Sequence, residues 1–209
     1  MPNLTGPLFS LPTKSNPGSQ SGMPAGMMGE LAISEVLGKY ATLTKLGKVF
    51  YTSAIITAPV IFSTAAQLGP MLWNRPGSGV DAHLLAVGVS SPTTASTVAG
   101  AISWANNTQA TVPTTATALT VMNAYSGGGV SAMGGVFSTA TILVAPTNVP
   151  FPLVAVNTGA ITTGVLTSCF IDVGGVFQVA PGNIGYICGN ATLTAGVFTI
   201  GILWSELPV

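Results

Sequence analysis

The chain has 209 residues, of which 48% are hydrophobic and only 5% charged, with five basic and five acidic side chains giving a formal net charge of +0. That balance excludes a disordered chain, which is polar or strongly charged, and a nucleic-acid binder, which needs surplus Lys and Arg to neutralise phosphates. A free monomer surface normally carries a quarter to a third charged residues, so the composition points to a chain whose surface is buried against copies of itself or other subunits.

Residues 1–29 form the first segment. Pro2, Pro7, Pro12, Pro17 and Pro24 alternate with Gly and Ser, and Lys14 is the only charge. Such a segment favours an extended arm over regular structure, and Pro7, Phe9, Pro12 and Pro17 are its candidate contacts with neighbouring subunits. The N-terminus has no basic start or apolar stretch of the signal-peptide kind. Residues 30–48 carry Glu30, Glu35, Lys39, Lys45 and Lys48, and read either as a short helix, limited by Gly38 and Gly47, or as a strand. Their charges read as a solvated or salt-bridged face.

From residue 48 onward, short apolar runs alternate with turn residues, the signature of an all-β sandwich or barrel. Strands are expected at 49–56, 71–73, 84–89, 97–104, 118–125, 136–144, 161–173, 176–179, 184–188 and 197–204. Turns are expected at 74–79, at Asn106-Asn107, at 127–129, at Pro181-Gly182-Asn183 and at Gly189-Asn190. The uncharged window 49–74 is interrupted by Pro59, Gln67, Gly69 and Pro70, which argues against a spanning helix. Three tryptophans are too few for the aromatic girdles of a membrane barrel. No membrane partner is therefore expected.

Residues 82–171 contain no Asp, Glu, Lys or Arg. The outward positions of these strands are Thr, Ser, Asn, Ala and Gly, which lose little rotamer entropy on ordering and leave no desolvated charge in an interface. Obligate subunit contacts have this character.

Catalytic and metal signals are weak. His83 is the only histidine, and the carboxylates Glu30, Glu35, Asp81, Asp172 and Glu206 form no motif. Asp172 interrupts an apolar run, so a partner is expected for it, Arg75 or backbone donors. Cys169 and Cys188 are expected as free buried thiols. No phosphate-binding or nucleophile motif is present, so neither an enzyme nor a cofactor is expected. Trp104, beside Asn106, Asn107 and Gln109, is the one candidate for a glycan-binding aromatic-and-amide cluster.

Three stretches carry a resemblance. Residues 29–40 (GELAISEVLGKY) with 47–51 (GKVFY), 72–79 (LWNRPGSG) and 202–209 (ILWSELPV) resemble small phage-encoded virion structural proteins. In those proteins a basic or amide residue often follows the Gly-Ser-Gly turn, whereas Val80-Asp81 follows here. The resemblance implies a single β-sandwich, jelly-roll-like domain at 30–209 behind the N-terminal arm, assembled as a homotrimer within a bacteriophage virion that forms in the host cytoplasm. Its expected partners are itself and a major capsid protein or other virion subunits. Lacking a basic arm, it fits a cement or decoration subunit. A receptor- or glycan-binding spike module and a shell-forming coat protein are the alternatives.

Overall fold

The computed structural model describes residues 39–57, 60–90, 100–127, 130–145, 149–156, 168–191 and 197–209. The arm at 1–29, with Pro7, Phe9, Pro12 and Pro17, lies outside the described residues, as do Glu30 and Glu35. The described chain contains one short helix, α1 (Ala41–Lys45), and the strands β1 (Val49–Ile56), β2 (Ala66–Asn74), β3 (Val80–Ser90), β4 (Gly100–Thr108), β5 (Thr114–Ala118), β6 (Met122–Asn123), β7 (Gly135–Thr141), β8 (Phe151–Val156), β9 (Ser168–Val179), β10 (Asn183–Gly189) and β11 (Phe198–Pro208). Helix α1 stops where the sequence places Gly47. Its φ of 68° lets Lys48 N–H bond the Leu43 carbonyl (3.0 Å) and Gly47 N–H bond the Thr44 carbonyl (2.9 Å), the paired bonds of a Schellman stop.

Two antiparallel sheets pack face to face. The first runs β6-β1-β11-β3-β9 and the second β5-β7-β2-β10-β4-β8. Without β5–β7, the orders are β1-β11-β3-β9 and β2-β10-β4-β8. Consecutive strands then alternate between sheets, except for β4 and β8, which are neighbours. This is the double Greek-key order of a jelly roll. Strands β5–β7 are an insertion between β4 and β8: β7 pairs with β2, β5 with β7, and β6 with β1. The insertion thus widens both sheets at the same edge.

Alternation sorts the side chains. Phe50, Leu72, Leu84, Val87, Ile102, Trp104, Ile187, Ile200, Ile202 and Trp204 are buried between the sheets. In β3 the alternation changes phase at Leu85, because Leu84 pairs with Trp204 while Ala86 pairs with Leu203; one extra residue is a β-bulge. That is why Leu84 and Val87 both reach the core. The opposite positions of the second sheet form another apolar layer, with Met71, Ala105, Phe137, Ile184, Tyr186 and Cys188 buried and Phe62 and Ala65 of the β1–β2 connection packed on them. Gln67 braces that connection, its amide N–H groups bonding the carbonyls of Ile61 (3.2 Å) and Thr64 (2.5 Å).

The all-β sandwich expected from sequence is the observed fold, with four local corrections. Asn106-Asn107 is not a turn: both residues lie in β4, in register with Gly185 and Ile184. The expected strand at 118–125 divides into the end of β5 and the two residues of β6, because the chain changes sheets at 119–121. The expected runs ending at 173 and beginning at 176 are one strand, β9, which bulges through Gly174 (φ 62°) and Gly175 (φ 83°). Strand β8 was not anticipated. Pro152 is tolerated there because β8 is an edge strand.

Candidate functional site

The outward face of the first sheet is short of charge. Register places three rows across β1-β11-β3-β9: Tyr51–Leu203–Ala86–Asp172, Ser53–Gly201–Gly88–Phe170 and Ile55–Thr199–Ser90–Ser168. These rows hold one charge, Asp172. The paired Gly88 and Gly201 leave a shallow apolar groove bordered by Tyr51, Leu203 and Phe170. Phe170 stands beside it 72% exposed, and Ile55 is 74% exposed. The Asp172 carboxylate accepts from the Tyr40 hydroxyl (2.5 Å) and from Gly174 N–H (2.9 Å). Of the two partners expected for it, the backbone donor is found. Arg75 is not a partner: its guanidinium lies 3.8 Å from Met133 Sδ.

One end of the sandwich carries a different arrangement. Asn106 donates its amide N–H to the Gln178 carbonyl at 3.1 Å, tying β4 to β9 of the other sheet. Asn107 donates to the Val144 carbonyl, and its side-chain oxygen accepts from Thr108 N–H at 3.0 Å. Beside them opens a cleft of about 370 Å³, lined by Trp104, Ala105, Asn106, Asn107, Val144, Ala145, Val149, Pro150, Phe151 and Phe177. Structure therefore brings three of the four sequence candidates, Trp104, Asn106 and Asn107, to one cleft, but with changed roles. Trp104 is a core residue, 2% exposed, its ring lying over Gly185, where an added Cβ would be 2.2 Å from Trp104 Cζ2. The exposed aromatic is Phe151, with its ring centroid 5.2 Å from that of Phe177. Gln109 is buried and does not line the cleft: it bonds Thr111 and Leu143 through its side chain and accepts from Trp73 Nε1–H on its carbonyl. Sequence reasoning missed Phe151 and Phe177. The Pro150-Phe151-Pro152 run reads as loop, and Phe177 joins the cleft only through packing of the two sheets.

A second cleft, about 520 Å³, opens where the insertion meets the frame, between Phe50, Leu119, Val121, Met122, Val130, Val136 and Phe137. Its border is fixed by Glu206, which is buried at 3% exposure. The Glu206 carboxylate accepts from Met133 N–H (2.7 Å), Gly134 N–H (3.0 Å) and Trp204 Nε1–H (3.3 Å). Three N–H donors make an uncharged cradle for a buried carboxylate. Glu206 is thereby a fastening for the insertion.

Other titratable groups are dispersed. His83 lies on the outward side of β3, in register with Ser205 and Gln178, and Asp81 accepts from Gln178 Nε2–H. Both cysteines are free thiols, Cys188 buried and Cys169 half-buried. Burial pushes the Cys188 thiol up to about 12. It also raises the Tyr186 phenol, with the neighbouring Cys188 adding to the effect. Among the described residues no three His, Cys, Asp or Glu side chains gather as a metal set, and no helix is long and apolar enough to cross a membrane.

Comparison of the chain with protein-family models, with curated proteins and with solved structures finds no match.

Proposed function

We propose that this chain is a structural subunit of a bacteriophage particle, a cement or decoration protein that stabilises the shell through contacts with copies of itself and with capsomers. The observation that carries this reading is the outward face of the first sheet: three register rows, one charge, a glycine-floored groove and a protruding Phe170. A jelly roll serves both capsid subunits and lectins, so the fold alone does not assign the role. A sheet face of small neutral side chains beside exposed Ile55 and Phe170 has the composition of an obligate subunit contact. Work done by such a protein is mechanical. Symmetric burial of neutral faces holds the oligomer together, and repeated attachment to a lattice makes weak single contacts collectively tight. The Pro/Gly-rich segment 1–29 would add contacts to neighbours, and with Lys14 as its single charge it suits an outer position better than a genome-facing one.

The jelly-roll strand order also favours a second reading, the shell-forming coat protein itself. Light scattering on the purified full chain separates the two. A closed oligomer of a few subunits, a trimer in the first instance, supports the cement role, and binding to empty capsids then completes it. Shell-sized particles favour the coat protein. A stable monomer that ignores capsids overturns both.

A further inference from the structure

We propose that the cleft at Asn106, Phe151 and Phe177 binds a neutral saccharide, a recognition function separate from assembly through the sheet face. The argument starts with β4. Gln109 N–H bonds the Gly182 carbonyl, and Asn190 N–H bonds the Ala101 carbonyl, so the odd-numbered residues of β4 direct their backbone groups toward β10. By the alternation of an antiparallel ladder, Asn106 directs its own N–H and carbonyl the other way, toward β8. There the β4–β8 ladder has already ended, at Trp104 opposite Phe151. Asn106 consequently presents one backbone donor and one backbone acceptor with no strand partner among the described residues. Its side-chain Oδ1, which accepts no hydrogen bond among the described residues, adds a second acceptor, while the amide N–H is taken up by Gln178.

These groups sit beside an aromatic wall. Phe151 is 57% exposed, with Phe177 at 5.2 Å behind it and Trp104 at 6.5 Å behind Phe177. The negative face of an aromatic ring attracts the weakly positive C–H groups of a pyranose, while closely spaced donors and acceptors suit vicinal hydroxyls. About 370 Å³ lies at the lower end of small-ligand cavities, roughly 300–1,000 Å³, room for one or two sugar rings. Among the described residues no Lys or Arg lines the cleft, which selects neutral sugars over sialylated or sulfated ones. An extended peptide is the lesser fit, since among the described β4 residues that line the cleft only Asn106 offers unpaired ladder groups, whereas strand addition needs a row of them.

The test is an array of neutral and sialylated oligosaccharides probed with the full chain, followed by calorimetric titration of the best hit. The expected result is binding of at least one neutral saccharide, weakened about ten-fold by Phe151→Ala. Phe151 is exposed on an edge strand, so near-UV circular dichroism should confirm an intact fold. Asn106→Ala, which keeps the backbone groups but removes Oδ1, should weaken binding as well, whereas Leu46→Ser, at an exposed site after α1, should not. Absence of any neutral ligand, binding restricted to anionic sugars, displacement by an extended uncharged peptide, or affinity unchanged within two-fold in both cleft variants would each overturn the proposal.

Discussion

Gly185 is the position at which the core is least able to accept one more atom. A Cβ built there would lie 2.2 Å from Trp104 Cζ2, 2.8 Å from Val179 Cγ2 and 2.9 Å from Asn106 Oδ1. Carbon atoms pack at roughly 3.5–4.0 Å, so in Gly185→Ala the indole must withdraw by more than about 1 Å. It has little room to do so, being buried in the core against Phe177. Overpacking of this kind costs about 1–3 kcal/mol. The smaller unfolded-state entropy of Ala offsets roughly 0.4–1 kcal/mol of that. The expected net loss is about 1–2 kcal/mol, which for a domain of this size lowers Tm by roughly 2–8 °C. Calorimetry or circular dichroism on wild type, Gly185→Ala, Trp104→Phe and the double variant forms a complete cycle. Trp104 Nε1 has no hydrogen-bond partner among the described residues, so Trp104→Phe removes ring volume and none of the described bonds. The double variant should lose less than the sum of the singles, because the smaller ring vacates the space the new methyl needs. A Gly185→Ala protein as stable as wild type would refute the packing argument.

Four further outcomes are expected. Glu206→Ala leaves Met133 N–H, Gly134 N–H and Trp204 Nε1–H without their acceptor; at about 1.5–3 kcal/mol for a charge-assisted bond, Tm should fall by several degrees, and unchanged Tm would mean the carboxylate is dispensable. At pH 8 a disulfide reagent should modify Cys169 in the native protein and reach Cys188 only after unfolding, since burial holds the Cys188 thiol protonated up to about 12; two fast native thiols would contradict this. That same raised value makes stability fall as pH rises from about 9 toward 12, because the unfolded chain releases the proton first. Cys188 should contribute a slope of up to about 1.4 kcal/mol per pH unit, to which the raised Tyr186 phenol adds, and Cys188→Ala should remove the Cys188 share in urea titrations. On the proposed assembly, Phe170→Asp places a charge on the neutral sheet face at a 72% exposed site; native mass should drop to the monomer with the fold intact, and an unaltered oligomer would remove this face from the assembly.

What could be read in the chain before folding follows from locality. Strand β1 coincides with the expected 49–56 because the run VFYTSAII is dense in aromatic and β-branched residues, a local property of the segment itself. Gly47 stops α1 through its own backbone. By contrast, Asn106-Asn107 has strong turn chemistry, yet the residues that overrule it, Gly185, Gln178 and Val144, lie 37 or more positions away. Trp104 gives no local sign of which face it occupies; the absent side chain at Gly185 decides that. Phe151 is hidden between prolines that an edge strand accommodates and a central strand would not. The neutral sheet face was legible as composition, while its rows and groove required the register of four strands from distant parts of the chain.

The central places of β10 and β11 bear on how the molecule comes into being. In the first sheet β11 separates β1 from β3, and in the second β10 separates β2 from β4, so the last two strands in chain order fill the middle of both layers. During synthesis, β1 to β4 emerge with no ladder partner from one another and with almost no charge to keep them apart. Pairs such as β1–β6, β2–β7 and β4–β8 can form earlier, but neither layer is joined across its middle until nearly the whole polypeptide has left the ribosome, and pairings of such long sequence separation form slowly. Until then the nascent chain exposes sticky strand edges of the kind that aggregate. Its yield on expression should therefore depend on temperature and on chaperone supply more steeply than its final stability would suggest.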